Sequence, residues 1–273
     1  MYLKPKKRFG QHFLKDFSIV NSITEAAGIT KEDIILEIGG GHGILTERLA
    51  LSGCKLISLE IDRKLSEKLK NKFSSDRNVE IINCDVLNFN FNSLSACNKK
   101  IKVVANLPYN ISTQVVFKIL KNKAFFSTLI LMFQKEVALR LSAKPSTKSY
   151  GSLSVLSQLY FDSELLFIIP PKAFFPPPKV QSAVVKITVN EKPKVDVGDE
   201  EIFKKIIKNS FLYRRKTLKN SVKSIKDEKL KYVLSESLEE IKFDISRRIE
   251  TFSLSELGFL SLTVSKKLLN KEN

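Results

Sequence analysis

Between residues 16 and 133, short apolar runs alternate with stretches of helical period, and that alternation leaves few possible folds. DFSIVNSITEAAG (16–28) spaces Phe17, Val20, Ile23 and Ala27 at helical intervals and stops at Gly28. IILEI (34–38) reads as a buried strand, ILTERLALSG (44–53) as a helix closed by Gly53, and KLISLEI (55–61) as a second strand. DRKLSEKLKNKF (62–73) has an amphipathic helical pattern, and VEIINC (79–84) and IKVVAN (101–106) are strand-like. STQVVFKILK (112–121) then predicts a helix and TLILMF (128–133) a fifth strand. Apolar strands separated by helices predict βαβ units, hence an α/β fold whose parallel sheet has helices on both faces. Such sheets bind ligands beyond the carboxyl ends of their strands. The residues that follow each run are therefore the ones to inspect for chemistry.

Further along, EVALRLSA (136–143) and SLSVLSQLYF (152–161) look helical, with the polar, basic loop KPSTKSYG (144–151) between them. PPKAFFPPPKV (170–180) holds five of the nine prolines and predicts an extended, stiff connection into a strand, SAVVKITV (182–189). NEKPKVDVGDE (190–200) turns polar, and 201–273 is charged with no strand pattern. The expected division is therefore an α/β domain over 1–189 and a small all-helical domain over 190–273. The longest apolar stretch, LILMF (129–133), is far short of the ~20 residues of a membrane span, so no membrane association is expected. The basic opening leads into FGQHFLKD rather than an apolar segment, which predicts no signal peptide and a cytoplasmic protein. Cys54, Cys84 and Cys97 form no C-x-x-C pair, and the only histidines are His12 and His42. Neither a metal site nor a Ser-His-Asp relay is expected.

The first strand runs into EIGGGHG (37–43). The dinucleotide fingerprint G-x-G-x-x-G fails here, because the last glycine would fall on Ile44 or Thr46. The spacing fits E-x-G-x-G-x-G instead, the adenosyl-binding loop of Rossmann-like methyltransferases, with Gly39 and Gly41 as cofactor contacts. Glu60, at the end of the second strand, suits two-point acceptance of ribose hydroxyls. Asp85, after the third strand, could accept the exocyclic amine of an adenine. ANLPYN (105–110) follows the fourth strand and is the most specific segment. A nucleobase amine is a poor nucleophile because its lone pair is delocalised into the ring. Two acceptors, the side-chain oxygen of Asn106 and the carbonyl of Leu107, could hold its hydrogens and favour the pyramidal, attacking form. Pro108 stiffens the turn, Tyr109 offers an aromatic face, and Phe174 could supply the opposite wall of a base sandwich. No strong general base is required, since a methylated cationic amine loses its proton readily to water. Lysine and arginine number 46 against 29 acidic residues, and the net charge of +17 favours a polyanionic partner, nucleic acid first.

KPKKRFGQHFLKD (4–16), EIGGGHGILT (37–46), NLPYNIST (106–113) and FFPPPKVQSAVV (174–185) together resemble the KsgA/RsmA family of rRNA adenine N6-dimethyltransferases. The similarity continues more weakly into FLYRRKTLKN (211–220). The resemblance implies a Rossmann-like domain that binds S-adenosylmethionine, followed by a small helical domain. It implies transfer of four methyl groups to two adjacent adenosines in a hairpin loop near the 3′ end of small-subunit rRNA. Cofactor contacts would be His12, Leu14, Gly39, Glu60, Asp85 and Asn106, with the target base among Asn106, Leu107, Tyr109 and Phe174. His12 stands where the family often has Asn, and Gly40 where it frequently has Pro. The partner would be the small ribosomal subunit, bound by a monomer. Its rRNA phosphates would meet Lys4, Lys6, Lys7 and Arg8, the 144–148 loop, and Arg214, Arg215, Lys216 and Lys219. Alternatives are a large-subunit rRNA adenine dimethyltransferase of the macrolide-resistance type and a non-catalytic, RNA-binding assembly factor on the same scaffold. An NAD-dependent dehydrogenase loses on the failed fingerprint and on charge.

Overall fold

The computed structural model describes residues 4–97 and 99–270, with backbone alone at 7, 96 and 97. The strands are β1 (Phe13–Leu14), β2 (Ile34–Ile38), β3 (Lys55–Glu60), β4 (Val79–Asn83), β5 (Ile101–Asn106), β6 (Phe126–Gln134), β7 (Phe161–Ile169), β8 (Phe174–Phe175) and β9 (Ser182–Val189). The helices are α1 (Phe17–Ala27), α2 (Ile44–Ala50), α3 (Arg63–Lys72), α4 (Ser112–Lys121), α5 (Lys135–Leu141), α6 (Ser152–Gln158), α7 (Glu200–Phe211), α8 (Leu218–Lys223), α9 (Glu228–Glu240) and α10 (Leu254–Asn270). None of these helices is long and apolar enough to cross a membrane. The chain separates into two compact units, residues 4–139 with 161–191, and 140–160 with 192–270.

In the first unit a seven-stranded sheet has the order β4-β3-β2-β5-β6-β9-β7. The five strands from β4 to β6 run parallel, as strands joined by crossover connections do. The chain starts in the middle at β2, moves out one way through β3 and β4, then returns to β5 on the other side. That reversal between β2 and β5 opens a crevice at the carboxyl end of the sheet. Register fixes what lies there: Ile38 pairs with Leu59 and with Ala105, so Gly39, Glu60 and Asn106 come side by side at three adjacent strand ends. Against one face of the sheet, Val20, Ile23 and Ala27 of α1 join Ile35, Leu45 and Leu49 in one buried cluster. Each such aliphatic side chain contributes roughly 1.5–3 kcal/mol on burial. Asp16 caps α1 by accepting from the Ser18 and Ile19 amides, and Gly28 ends it with φ of 52°.

The sheet is mixed, not wholly parallel. β9 runs antiparallel to β6, and β7 is antiparallel to β9 at the edge. The sequence reading extended a helix to residue 161 and saw no strand in FDSELLFII, whose burial alternates because it is an edge. The prolines of 170–180 frame β8, which pairs with β1 through Phe13↔Phe175 and Leu14↔Phe174. That contact joins segments 160 residues apart, so no local pattern announces it.

In the second unit α10 packs against α9 and α7, and α7 against α6 and α8. Its core includes Phe203, Ile206, Leu234, Leu257 and Leu260, all fully buried. Residues 140–160, placed by sequence within 1–189, pack here. Tyr150 is buried and donates to the Phe252 carbonyl at 3.1 Å, while Gln158 Nε2 donates to the carbonyls of Leu141 and Ala143.

Candidate active site

The site begins with a glycine loop that is tightly packed at Gly40 and Gly41. A Cβ on Gly40 would lie 2.7 Å from Ser58 Oγ and 2.8 Å from Leu69, and one on Gly41 would press on the Phe13 ring. Gly41 also has φ of 57°, where glycine is favoured. Glu37 lies below this loop, fully buried. Its Oε2 accepts from Ser58 Oγ at 2.6 Å and Thr46 Oγ1 at 2.8 Å, whereas Oε1 has no hydrogen-bond partner. Burial pushes the Glu37 carboxyl up to about 7 against the pull of the two hydroxyls. The same hydroxyls sit against Gly40, so Glu37 ties together β2, β3, the start of α2 and the loop.

Glu60 is only 4% exposed, yet it stays on the crevice wall. Its Oε2 accepts from the Gly41 amide at 2.8 Å and its Oε1 from the Asp62 amide at 2.7 Å. A carboxylate has about four acceptor positions, so each oxygen keeps one for a vicinal diol. Burial raises the Glu60 carboxyl, and the two amide bonds hold it back. Beside it, buried Asp62 caps α3 and binds Lys6 Nζ at 2.7 Å, which draws the N-terminal segment onto this edge of the cleft.

On the opposite wall, Asn106 Nδ2 donates to the His12 carbonyl at 3.1 Å. That bond orients the amide and turns its oxygen away as an acceptor. The Leu107 amide donates to the Met132 carbonyl at 3.3 Å, holding the turn on β6. Tyr109 shares a 2.6 Å hydroxyl–hydroxyl bond with buried Ser182, and its ring stacks on His12 at 5.3 Å between centroids. Burial raises the Tyr109 phenol despite that bond, so it stays protonated at neutral pH. His12 is fixed in turn by a 2.7 Å contact between Nδ1 and the Pro176 carbonyl.

His12, Gly39, Gly41, Glu60, Asn106, Leu107, Pro108 and Tyr109 thus line one open cleft of about 500 Å³. Leu14 and Asp85 are not on its walls. Leu14 is buried in the core, and Asp85 accepts from the Leu87 amide at 2.8 Å in the turn after β4. Phe174 departs from its expected place as an aromatic wall: it is 1% exposed, packed with Leu14 in the core cluster. Phe175, on the other side of the two-residue strand, is the exposed ring, at 56%. The cleft also takes in Phe9, Gly10, Gln11, Phe13 and Ile61, which sequence reasoning did not single out. The adjacency of FGQHF to His12 was the available signal. Ser182 and Pro176, which hold Tyr109 and His12, lie in the FFPPPKVQSAVV segment, but nothing in that segment assigned them these partners.

The basic residues divide into two groups. Lys6 is bound to Asp62, and Arg214 pairs with Glu250 and donates to the carbonyls of Lys148 and Thr147 at 2.6 and 2.9 Å. Neither is the free phosphate contact expected, because each cation is held by a carboxylate and, for Arg214, by backbone oxygens of the 144–148 loop. Lys4, Arg8, Arg215, Lys216 and Lys219 are exposed; Arg8 lies over the Phe9 ring and Lys216 over Tyr213. The Lys7 side chain lies outside the described residues.

A doubly wound sheet with a glycine loop, a buried carboxylate on the cleft wall and an N-L-P-Y turn at three adjacent strand ends defines a Rossmann-like methyltransferase. The chain belongs to the ribosomal RNA adenine dimethylase family, whose model matches residues 2–253. It is 44% identical over 259 residues to a ribosomal RNA small subunit methyltransferase A of Syntrophotalea carbinolica, covering 94% of this chain and 96% of that protein. The protein of the same name in Caldanaerobacter subterraneus is 40% identical over 273 residues, 99% of this chain and all of that protein. Among solved structures, a dimethyladenosine transferase from Plasmodium falciparum superposes with a TM-score of 0.79 at 26% identity, covering 96% of this chain and 98% of that one. The 23S rRNA methyltransferase ErmE shares the fold, with a TM-score of 0.67 at 22% identity, over 93% and 99% of the chains. The cofactor of the family is S-adenosylmethionine, and the residues present fit it. Gly39 and Gly41 line the cleft with backbone alone, and Glu60 keeps acceptor capacity for a ribose diol.

Proposed function

We propose that this protein transfers methyl groups from S-adenosylmethionine to N6 of two adjacent adenosines in a hairpin loop near the 3′ end of small-subunit rRNA. Four methyls are added in all, by a cytoplasmic monomer acting during ribosome biogenesis. The observation that carries this reading is the orientation of Asn106. Its Nδ2 is engaged by the His12 carbonyl, so its oxygen remains to accept from an amine at the strand end next to Gly39. The Leu107 carbonyl, in a turn anchored to Met132, is the second acceptor. Together they hold the two N6 hydrogens and localise the nitrogen lone pair. Tyr109, clamped by Ser182, offers a neutral aromatic surface that orients the base. Glu60 and the glycine loop hold the ribose and the adenosyl backbone. When bound, the cofactor supplies an electrophilic methyl group on a sulfonium. The amine nitrogen forms the new N–C bond as the S–CH3 bond of the sulfonium breaks, its electron pair leaving on the thioether S-adenosylhomocysteine, and the proton of the resulting cation leaves to water. Asn106 and Leu107 thus act by positioning and electrostatics, without a covalent link to the enzyme.

The test is methyl transfer from labelled S-adenosylmethionine to undermethylated small and large ribosomal subunits in parallel, with the modified nucleoside identified. N6-dimethyladenosine confined to small-subunit rRNA is expected. Label in large-subunit rRNA would overturn the target, and RNA binding without label would overturn the reaction.

A further inference from the structure

We propose that the C-terminal helical unit carries a second binding site, a cavity that takes one unstacked nucleotide of the RNA, with its base against Phe243 and its phosphate among Lys219, Lys223 and Lys242. The proposal rests on the RNA-methylating reading above. The cavity lies between α8, α9 and the turn after α9, has a volume of about 370 Å³, and is of the size of small-molecule sites. Its floor is apolar, from Val222, Leu238, Phe243 and Ile245.

Three features point to an anionic, flat-bodied occupant. First, Lys219, Lys223 and Lys242 line the cavity, and among the described residues none is in an ion pair. Lys219 and Lys223 are four apart on α8, a spacing at which like charges repel unless an anion lies between them. Glu239 is the one carboxylate on the lining, so the local balance is strongly positive. Second, the Phe243 ring is preset. It stacks on Phe252 at 4.7 Å and 28°, and Phe252 is 1% exposed, so the platform is rigid before anything binds. Third, α9 ends in a Schellman turn, with the Phe243 amide donating to the Leu238 carbonyl at 2.9 Å and the Lys242 amide to the Glu239 carbonyl at 3.1 Å. The left-handed position of that turn, φ of 50°, is held by Lys242, where glycine is the favoured residue. A lysine there incurs backbone strain and sets a cation on the cavity. An aromatic platform with cations beside it matches a single-stranded nucleotide, whose base stacks and whose phosphate needs the lysines. An acidic peptide would use the cations and leave the apolar floor uncovered.

The experiment follows the methyl signals of Val222, Leu238 and Ile245 in the full-length protein during titration with a short single-stranded oligoribonucleotide. In parallel arms, inorganic phosphate and hexaglutamate are titrated. Saturable shifts with the oligoribonucleotide alone are expected, and Lys242→Gly should weaken binding about tenfold. Because glycine suits that turn, Lys242→Gly should also unfold at a higher temperature, which separates lost binding from lost folding. Equal binding in Lys242→Gly, or oligoribonucleotide binding without movement of these methyls, overturns the site. Shifts reproduced by phosphate reduce it to an ion site and overturn the nucleotide, and tighter binding of hexaglutamate overturns RNA as the occupant. Cofactor affinity and label transfer to small subunits are measured on the same sample. Normal transfer without cavity shifts fails this proposal alone, whereas cavity shifts without transfer fail only the reading of the active site.

Discussion

The residue on which the proposed chemistry turns is Asn106, because its two side-chain functions are divided: the amide nitrogen holds the His12 backbone, and the proposed reaction uses the oxygen as the acceptor for the substrate amine. Asn106→Ala removes an acceptor and loosens the N-terminal segment together. Turnover on undermethylated small subunits should fall by roughly 10–100-fold, the cost of about 1.4–2.8 kcal/mol in the transition state. Single-turnover rates within twofold of the parent would remove Asn106 from the reaction. The role proposed for Glu60 is in cofactor binding instead. Glu60→Ala should weaken cofactor affinity by ~1–3 kcal/mol, as one charge-assisted acceptor of the diol is lost and the Gly41 amide loses its partner. An unchanged dissociation constant by calorimetry would take Glu60 out of the site. Sequence identified both residues, since each lies at the carboxyl end of a strand. It could not show that Phe174 faces inward, since which way a ring points at a two-residue strand depends on β1, 160 residues away.

At the scale of elements, the glycine loop depends on Glu37. Its carboxyl has a folded-state value of about 7 against 4.5 in an unfolded chain. Between those values the native state holds more protons than the unfolded one, so this group's contribution to stability falls as pH rises from about 4.5 to about 7. It is flat above that range. The span corresponds to an effect on the order of 3 kcal/mol. Glu37→Gln, which keeps the shape and never ionises, should remove that slope. Urea midpoints compared at pH 5 and pH 8 should show the variant gaining on the parent at the higher pH; a constant gap between them would mean that Glu37 stays charged throughout. Gly40 belongs to the same arrangement, since a side chain there would push Ser58 off Glu37. The relation of a glycine to a carboxyl three residues earlier is set by sheet register, which periodicity does not encode.

For the whole molecule, the net charge of +17 is the long-range term. Binding to small subunits should weaken steeply with salt, and Arg215→Ala with Lys216→Ala should lower the slope of log K against log salt by about 0.7–0.9 per lost contact. Their thermal stability should be unchanged, as both side chains are exposed. Arg214→Ala should behave in the opposite way, lowering the melting temperature because Glu250 and the 147–148 carbonyls lose their partner. A salt slope that stays the same in the Arg215 and Lys216 variants would place the RNA contact elsewhere.

The sequence by itself determined the parallel half of the sheet, its helices and the three strand ends that carry Gly39, Glu60 and Asn106. Those features are written in local periodicity and in residues adjacent to it. Only the tertiary structure decided the antiparallel edge of β9 and β7, the pairing of β1 with β8, and the membership of residues 140–160 in the helical unit. It also decided which cations are free, since Lys6 and Arg214 look like their neighbours until Asp62 and Glu250 are brought beside them. Each of these rests on contacts between distant segments. Such contacts form only when burial of the whole core fixes the chain's path, so no window along the sequence contains them.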